Sequence, residues 1–158
     1  MSYISYIEIT RSMFPDQPPY QWTSNESAPW TPISKPLKDS KVVLISSGGI
    51  YQKEHSPFNP IKNDLTFREI PKGISIGDLK ISHDFYDHTD AEKDINCVFP
   101  IERMRELEKE GFLGELSEIN FTFMGRIFKK TQLLEEMIPH LIKRLKEMNI
   151  DLAFLVPA

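Results

Sequence analysis

The chain of 158 residues is 40% hydrophobic, which is enough to bury the core of a single domain. Its formal net charge of -4 and the lack of a dense basic run argue against a nucleic-acid partner. No apolar run reaches the ~20 residues that cross a bilayer, and the N-terminus lacks the pattern of a secretion signal. A single cysteine excludes an internal disulfide. We therefore expect a cytoplasmic globular protein without a membrane partner.

The first segment, residues 1–39, is predicted to be an arm that is extended or turning rather than regular. It holds six of the 12 prolines in the chain, and each proline fixes its own φ, removes a donor and restricts the preceding residue. Its large aromatic residues are expected to lie on an apolar surface, of the same domain or of a partner: Phe14, Tyr20, Trp22 and Trp30. Residues 40–158 are predicted to form an α/β domain, as the N-terminal part of a longer domain.

Residues 41–50, KVVLISSGGI, predict the first strand of a sheet. A run of β-branched and apolar residues without alternation is typical of a parallel strand that is covered on both faces. Gly48 and Gly49 allow the chain to turn where this strand leaves the sheet. We interpret them as a structural turn rather than a nucleotide loop, because neither G-x-G-x-x-G nor G-x-x-x-x-G-K-[ST] occurs.

Further elements follow from periodicity and from turn residues. Apolar runs predict additional strands, at residues 65–70, 80–83, 119–124 and 152–156. The strand at 152–156 is expected to be buried like the first. Pro100 is suited to open a helix at 101–109. Apolar positions spaced three and four apart predict a second helix at 131–148. Pro139 is expected to bend this helix on its solvent side, and Asn149 is expected to cap it in the left-handed conformation.

The alternation of strands and helices predicts an α/β fold with a mostly parallel sheet flanked by helices, in a three-layer Rossmann- or flavodoxin-like arrangement. In such sheets, ligands bind beyond the carboxyl ends of the strands. Three segments are therefore expected to meet at one edge, namely residues 46–49, 124–126 and 157–158. A chain that stops just after a buried strand also leads us to expect an incomplete C-terminus.

The polar segment at residues 81–106 is where the sequence favours a site. His83 and His88 flank two aspartates, and they form either a metal or acid/base pair or a hydrogen-bonded structural cluster. Other polar residues either shape the site or cap turns before the Pro100 helix: Tyr86, Asp87, Asp94 and Asn96. Cys97 is interpreted as a small buried hydrophobic residue rather than a nucleophile.

Several ordered motifs carry a resemblance to a known family. The segments KPLKDSKVVLISSGGIY, NDLTFREIP, ISHDFYDHTDAEKDINCVFPIERMRELEKEGFLGEL and FTFMG resemble the selenoprotein B type subunits of the glycine, sarcosine, betaine and D-proline reductases. The family pattern H-x-x-Y-D, followed by D-I-N-x-V-F-P-[IL]-[DE]-R-[LM]-x-E-L, falls on residues 83–87 and 94–107. Cysteine at Cys97 is most similar to the D-proline reductase branch.

This resemblance implies reductive cleavage of a C–N bond of glycine, a glycine derivative or D-proline. The substrate amine is held on a pyruvoyl group of a partner subunit, and a selenocysteine, or cysteine in some relatives, directly follows the last strand. The catalytic residue is therefore expected immediately after Ala158, and this chain is expected to contain no cofactor or metal and to show no turnover alone. Selenocysteine is encoded by UGA, so translation that ends at this codon explains the expected truncation.

The candidate substrate or site-shaping residues combine the strand ends with the polar segment: Gly48, Gly49, His83, Tyr86, Asp87, Asp94, Asn96, Gly125 and Ala158. Two other functional classes stay open. One is a noncatalytic α/β binding or assembly module whose arm docks a partner, and the other is a flavodoxin-like nucleotide binder. A homo-oligomer also stays open.

Overall fold

The computed structural model describes residues 6–13, 15–16, 26–59 and 63–158. It divides into two compact units, Met1–Pro32 and Ile33–Ala158.

The first unit contains the helix α1 (Tyr6–Met13), so the prediction of an arm without regular structure is wrong there. The stretch YIEITRSM precedes the first proline, and no ring interrupts its backbone hydrogen bonds. Trp30 is 85% exposed. Phe14, Tyr20 and Trp22 lie outside the described residues.

The second unit is built on a five-stranded sheet with β1 (Lys41–Ser46) at its centre. Three strands pair with β1 in parallel, namely β5 (Glu115–Leu116), β6 (Ile119–Phe123) and β7 (Leu152–Val156). The strand β3 (Phe67–Pro71) pairs with β6 in the antiparallel direction. The sheet is therefore mostly parallel, as predicted.

The pairing of β1 determines the order of the strands. Val42 pairs with both β5 and β7, and Ser46 pairs with both β6 and β7. Because a strand has only two edges, β7 occupies one edge of β1, and β5 and β6 share the other. The order is thus β3, then β6 with β5, then β1, then β7.

A buried asparagine repairs the break between β5 and β6. Lys41 lies opposite Glu115 but Ile45 lies opposite Phe121, so the register shifts by two residues between the two short strands. Asn120 accepts the Leu44 N–H through Oδ1 at 2.9 Å and donates from Nδ2 to the Ser117 carbonyl at 3.0 Å. The side chain thereby satisfies backbone groups that the interrupted ladder leaves without partners.

The first predicted strand is too long at its carboxyl end. β1 ends at Ser46, and β2 (Ile50–Gln52) instead pairs with β4 (Leu79–Ile81) in a separate two-stranded antiparallel sheet. Gly49, with φ of 69°, turns the chain between the two strands.

Helices cover both faces of β1. Residues Val42 and Leu44 pack in one cluster with Ile101 and Met104 of α3 (Ile101–Lys109). The alternate residues Val43 and Ile45 pack in another cluster with Leu141 of α5 (Ile138–Glu147). Successive residues of a strand point to opposite faces, so α3 and α5 form the two outer layers. The predicted three-layer α/β architecture is confirmed.

The remaining helical elements are short. They are α2 (Thr89–Lys93), α4 (Lys130–Gln132), a π-helical turn at Leu133–Met137 and 3-10 turns at Leu37–Asp39, Ile76–Asp78 and Ile95–Cys97. The chain stays helical from α4 through the exposed Pro139 to the end of α5, where Asn149 adopts the predicted left-handed conformation with φ of 53°.

The prediction that residues 152–156 form a buried strand is wrong in one respect. β7 is parallel, but Phe154 is 45% exposed and Leu155 is 67% exposed. Adjacent residues of a strand face opposite sides, so neither face of β7 is fully covered within the described part of the chain. The reason is that β7 pairs with β1 along one edge and lies at the border of the sheet.

Candidate functional site

Three segments meet at the carboxyl ends of β1, β6 and β7, as predicted from the parallel topology. Gly48 forms an isolated bridge with Met124. Gly125 donates its N–H to the Ser47 carbonyl at 2.9 Å, and Ala158 donates its N–H to Ser47 Oγ at 3.0 Å. Ser47 therefore joins the exits of all three strands.

The glycines at this edge allow backbone segments to approach closely. A Cβ atom on Gly49 would lie 2.6 Å from the Ser82 carbonyl oxygen, and φ at this position is +69°. A Cβ on Gly125 would lie 2.9 Å from the Ser47 Cβ, and one on Gly48 would lie 2.8 Å from Ile50 Cδ1. The Gly49 and Gly125 contacts involve backbone or Cβ atoms that cannot move alone, so these two positions need glycine, whereas the flexible end of Ile50 can yield at Gly48.

Residues 82–88 fold over the Gly48 and Gly49 turn. Ser82 donates its N–H to the Gly49 carbonyl at 2.9 Å, and the Tyr86 hydroxyl donates to the Gly48 carbonyl at 3.2 Å. The His83 side chain is only 5% exposed, and its ring meets the Tyr86 ring edge-on with centroids 4.9 Å apart. The polar segment is thus anchored to the strand ends through a glycine turn.

The geometry around His83 favours the neutral imidazole. Phe85 donates its N–H to His83 Nδ1 at 3.2 Å, which places the ring proton of the neutral form on Nε2. Burial lowers the pKa of His83 below 6.5, and the nearby Arg126 lowers it further, while Asp84 acts in the opposite direction. His83 is therefore a hydrogen-bond donor at this edge rather than a cation.

Three other candidates form local turn contacts. Asp87 accepts hydrogen bonds from Thr89 N–H at 3.0 Å and from Thr89 Oγ1 at 2.6 Å, and these bonds lower its pKa. Asp94 accepts from Asn96 N–H and Nδ2, which likewise lower its pKa, and Asn96 Oδ1 accepts the Glu102 N–H at the start of α3. Within the described residues, no hydrogen bond of these side chains reaches the glycine turn.

The structure corrects the prediction for Cys97, which is exposed rather than buried. It ends the 3-10 turn Ile95–Cys97, and Ile95 is the residue of that turn that joins the core. His88 contacts Glu92 Oε1 through Nδ1 at 2.9 Å. In the described ranges, no three His, Cys, Asp or Glu side chains come together as metal ligands.

One residue of this edge was not singled out from the sequence. The Arg126 guanidinium lies over the Phe85 ring, with Cζ 3.6 Å from the centroid, and 5.1 Å from the Phe128 centroid. Such contacts are cation–π interactions. The only signal in the sequence is that Arg126 directly follows the glycine at the exit of β6, a position that parallel α/β folds use for ligands.

Comparison with known proteins identifies the family. A family model described as glycine/sarcosine/betaine reductase selenoprotein B matches residues 18–157. The chain belongs to this family. The resemblance stated from the sequence is confirmed.

Individual relatives of the selenoprotein B family support the D-proline branch. D-proline reductase subunit gamma of Acetoanaerobium sticklandii is 43% identical over 126 residues, which cover 80% of this chain and 52% of that protein. Glycine reductase complex component B subunit gamma of Symbiobacterium thermophilum is 32% identical over 67% of this chain and 26% of its own length. The sarcosine reductase complex component B subunit beta of Peptoclostridium acidaminophilum is 30% identical over 58% of this chain and 22% of its own length.

This selenoprotein B chain therefore spans about half the length of the D-proline reductase subunit and about a quarter of the other two relatives. No solved structure shows significant similarity to it. Among the described residues, no helix is both long enough and apolar enough to span a bilayer.

Proposed function

We propose that this chain builds one wall of the active site in a reductase that cleaves a C–N bond of D-proline, glycine or a glycine derivative. The observation that carries the proposal is the convergence of Ser47, Gly48, Gly125 and Ala158 at the carboxyl edge of the sheet. Family membership and 43% identity to a D-proline reductase subunit support it. D-proline is the substrate that we favour.

The redox residue is proposed to follow Ala158 directly. Selenocysteine supplies an ionised nucleophile near neutral pH, whereas an unperturbed cysteine in its place is mostly the protonated thiol. The residues of this chain fit that group, because the hydrogen bond from Ala158 N–H to Ser47 Oγ fixes the backbone from which the next side chain emerges. The close approach of Gly125 to Ser47 holds the exit of β6 against the same serine.

The substrate amine is proposed to be held by a pyruvoyl group of a partner subunit. The names of the relatives describe subunits and components of complexes, which supports a multi-chain enzyme. Support for a contact surface comes from the exposed apolar side chains Phe154 and Leu155 of β7. An exposed apolar strand at a sheet border is typical of a surface that another polypeptide covers.

Reconstitution tests this function. The chain that ends at Ala158 and a version extended by the codons downstream of Ala158 are each mixed with the pyruvoyl subunit, a dithiol reductant and D-proline or glycine. We expect ring-opened or deaminated product only with the extended version. Equal product from the chain that ends at Ala158 would contradict the assignment of the redox residue. Absence of product with every substrate in the extended version would contradict the proposed reaction.

The alternative is a noncatalytic assembly module, which the exposed Trp30, Phe154 and Leu155 favour. A pull-down of the pyruvoyl subunit by a variant lacking residues 1–32 separates the two functions. If the arm docks the pyruvoyl subunit, its deletion abolishes the pull-down. If the chain instead builds the active site at the sheet edge, the variant still binds the pyruvoyl subunit.

A further inference from the structure

The side chain of Arg126 carries a charge that the described part of the chain does not use. Of the five arginines in residues 33–158, four donate to oxygen acceptors: Arg68, Arg103, Arg105 and Arg144. Arg126 differs among the described residues because its guanidinium contacts only the rings of Phe85 and Phe128. Arg126 is a half-buried residue, and the five N–H donors of its guanidinium have no acceptor among the described residues.

The aromatic contacts orient these donors. The guanidinium Cζ lies 3.6 Å from the Phe85 centroid, and a guanidinium that stacks on a ring with its face keeps its N–H bonds pointing outward in its own plane. Phe128, the second ring that the guanidinium contacts, is 71% exposed, and Phe85 is 53% exposed. These rings shield the cation from water on the sides they cover, which strengthens its attraction for an anion.

The backbone holds Arg126 at the edge where the strand ends meet. Its own N–H donates to Met124 Sδ at 3.3 Å, and the preceding Gly125 bonds to Ser47, which also bonds to Ala158. The guanidinium is close enough to His83 to disfavour the charged imidazole. The backbone that carries Arg126 thus lies beside the proposed exit of the redox residue.

The charges around Arg126 favour an anion with a single negative charge. His83 is neutral and Arg126 is the cation that contacts Phe85, so a single guanidinium faces the ligand from this group of residues. One planar guanidinium matches one carboxylate through two parallel N–H···O bonds, and its single positive charge balances the single negative charge of that group. Asp84 is the acid nearest in sequence to Phe85, and it lies outside ion-pair distance of Arg126 in the described structure.

We propose that Arg126, stacked on Phe85, binds the carboxylate of a small amino-acid ligand at the carboxyl edge of the sheet. This inference rests on the proposed function for the identity of the ligand, because D-proline, glycine and betaine all carry one carboxylate. A carboxylate held here leaves the amine end of the ligand free for the partner subunit. Arg126 is therefore a substrate-binding residue that determines orientation.

Ligand pairs that differ only in the carboxylate test this role without turnover. Binding of D-proline and of D-prolinamide to the full chain is measured by NMR titration. Wild type should bind the carboxylate more tightly, and Arg126→Gln should lower its affinity roughly ten- to a hundredfold and remove the preference over the amide. Arg126→Lys keeps the charge but loses the two-pronged geometry, so its affinity should lie between the two. Arg103→Gln, at an exposed ion pair with Glu106, is the matched control and should behave as wild type.

Three results would overturn the assignment. They are a wild-type chain that does not prefer the carboxylate, an Arg126→Gln variant that keeps the preference, and an Arg126→Gln variant that loses the partner subunit while its ligand preference is unchanged. The last result would show an acidic protein surface as the true ligand. A loss of fold in Arg126→Gln is detected by circular dichroism, and Arg126→Lys then carries the comparison.

Assays of the reconstituted complex separate this inference from the proposed function. Arg126→Gln should raise KM for D-proline with a smaller change in kcat, as expected for binding energy shared by ground state and transition state. Turnover with an unchanged KM would refute the role of Arg126 and leave the reaction standing. Carboxylate-dependent binding without any turnover would support the role of Arg126 and refute the proposed reaction.

Discussion

Ser47 and Ala158 are 111 residues apart in the sequence, yet the Ser47 hydroxyl accepts the Ala158 N–H at 3.0 Å and lies 3.4 Å from the Ala158 carbonyl oxygen. The parallel pairing of β1 with β7, in which Ser46 lies opposite Val156, brings the two residues together. The Ser47 backbone N–H also donates to the Val156 carbonyl at 3.1 Å. One serine thus holds the end of β7 by both its backbone and its side chain.

Replacement of Ser47 by alanine tests whether this contact positions the redox residue. In the extended protein we expect Ser47→Ala to lower kcat about tenfold, because loss of the side-chain bond lets the backbone after Val156 shift from the productive geometry. The free energy of unfolding should fall by only about 1 kcal/mol, since the bond is exposed. Steady-state kinetics and urea denaturation provide the two measurements.

The control for this variant is Ser12→Ala. Ser12 is also exposed, and its hydroxyl donates to the Ile9 carbonyl at 2.7 Å within α1. It should leave kcat unchanged. Equal losses of kcat in both variants would show that Ser47 has no specific part in positioning.

A second prediction concerns the turn at Gly49. Gly49→Ala should destabilise the protein by about 2 kcal/mol or more, because a Cβ meets the Ser82 carbonyl at 2.6 Å and φ is left-handed. Gly73→Ala is the matched control, since its Cβ would meet no atom within 4 Å and its φ is not left-handed. The control should change stability by less than about 1 kcal/mol. Thermal unfolding of both variants measures the difference, and equal Tm values would contradict the close approach.

The elements that local patterns determine were predictable from the sequence. The unbroken apolar run before Ser46 predicted a strand covered on both faces, and Pro100 marked the start of a helix whose observed bounds are Ile101–Lys109. Asn149 was identified as a left-handed cap, because asparagine tolerates that conformation. The meeting of strand ends followed from parallel topology alone.

Features that depend on neighbours were not predictable in the same way. Leu155 has the residue type of a core strand, but its exposure depends on what lies beside β7, and no local pattern records a neighbour. Cys97 has apolar neighbours in sequence, yet the 3-10 turn directs it outward. The rings under Arg126 come from two separate loops, so only the folded chain reveals the stack.

A third prediction concerns Asn120, which is fully buried. Asn120→Leu keeps a similar volume but leaves the Leu44 N–H and the Ser117 carbonyl without their partners. We expect a loss of about 2 to 4 kcal/mol in the free energy of unfolding, measured by urea denaturation. Thr122→Val removes a single acceptor, that of the Ile50 N–H, and should cost less. A Leu variant as stable as wild type would show that Asn120 does not repair the break between β5 and β6.

The fourth prediction is an acid-side loss of stability that depends on His83. Burial lowers the pKa of His83 in the folded state below its ordinary 6.5. When pH falls below 6.5, the unfolded chain binds a proton at this residue and the folded chain does not, so the free energy of unfolding must decrease as pH falls. The contribution of neutral His83 to the free energy of unfolding is fully present above pH 6.5 and is lost on acidification.

The carboxylates with lowered pKa values titrate at more acidic pH than the range that tests His83. Hydrogen bonds lower the pKa of Asp87 and Asp94 below 3.8, and the Lys72 ion pair lowers that of Glu118 below 4.5, so their contributions are lost only at more acidic pH. Chemical denaturation between pH 7.5 and about 5 should show a slope in wild type that His83→Gln removes. The exposed His140→Gln carries the same replacement on α5 and should keep the wild-type profile. If His83→Gln retained the full slope, another group would be responsible for it. The interpretation of His83 as a buried neutral imidazole beside Tyr86 would then be wrong.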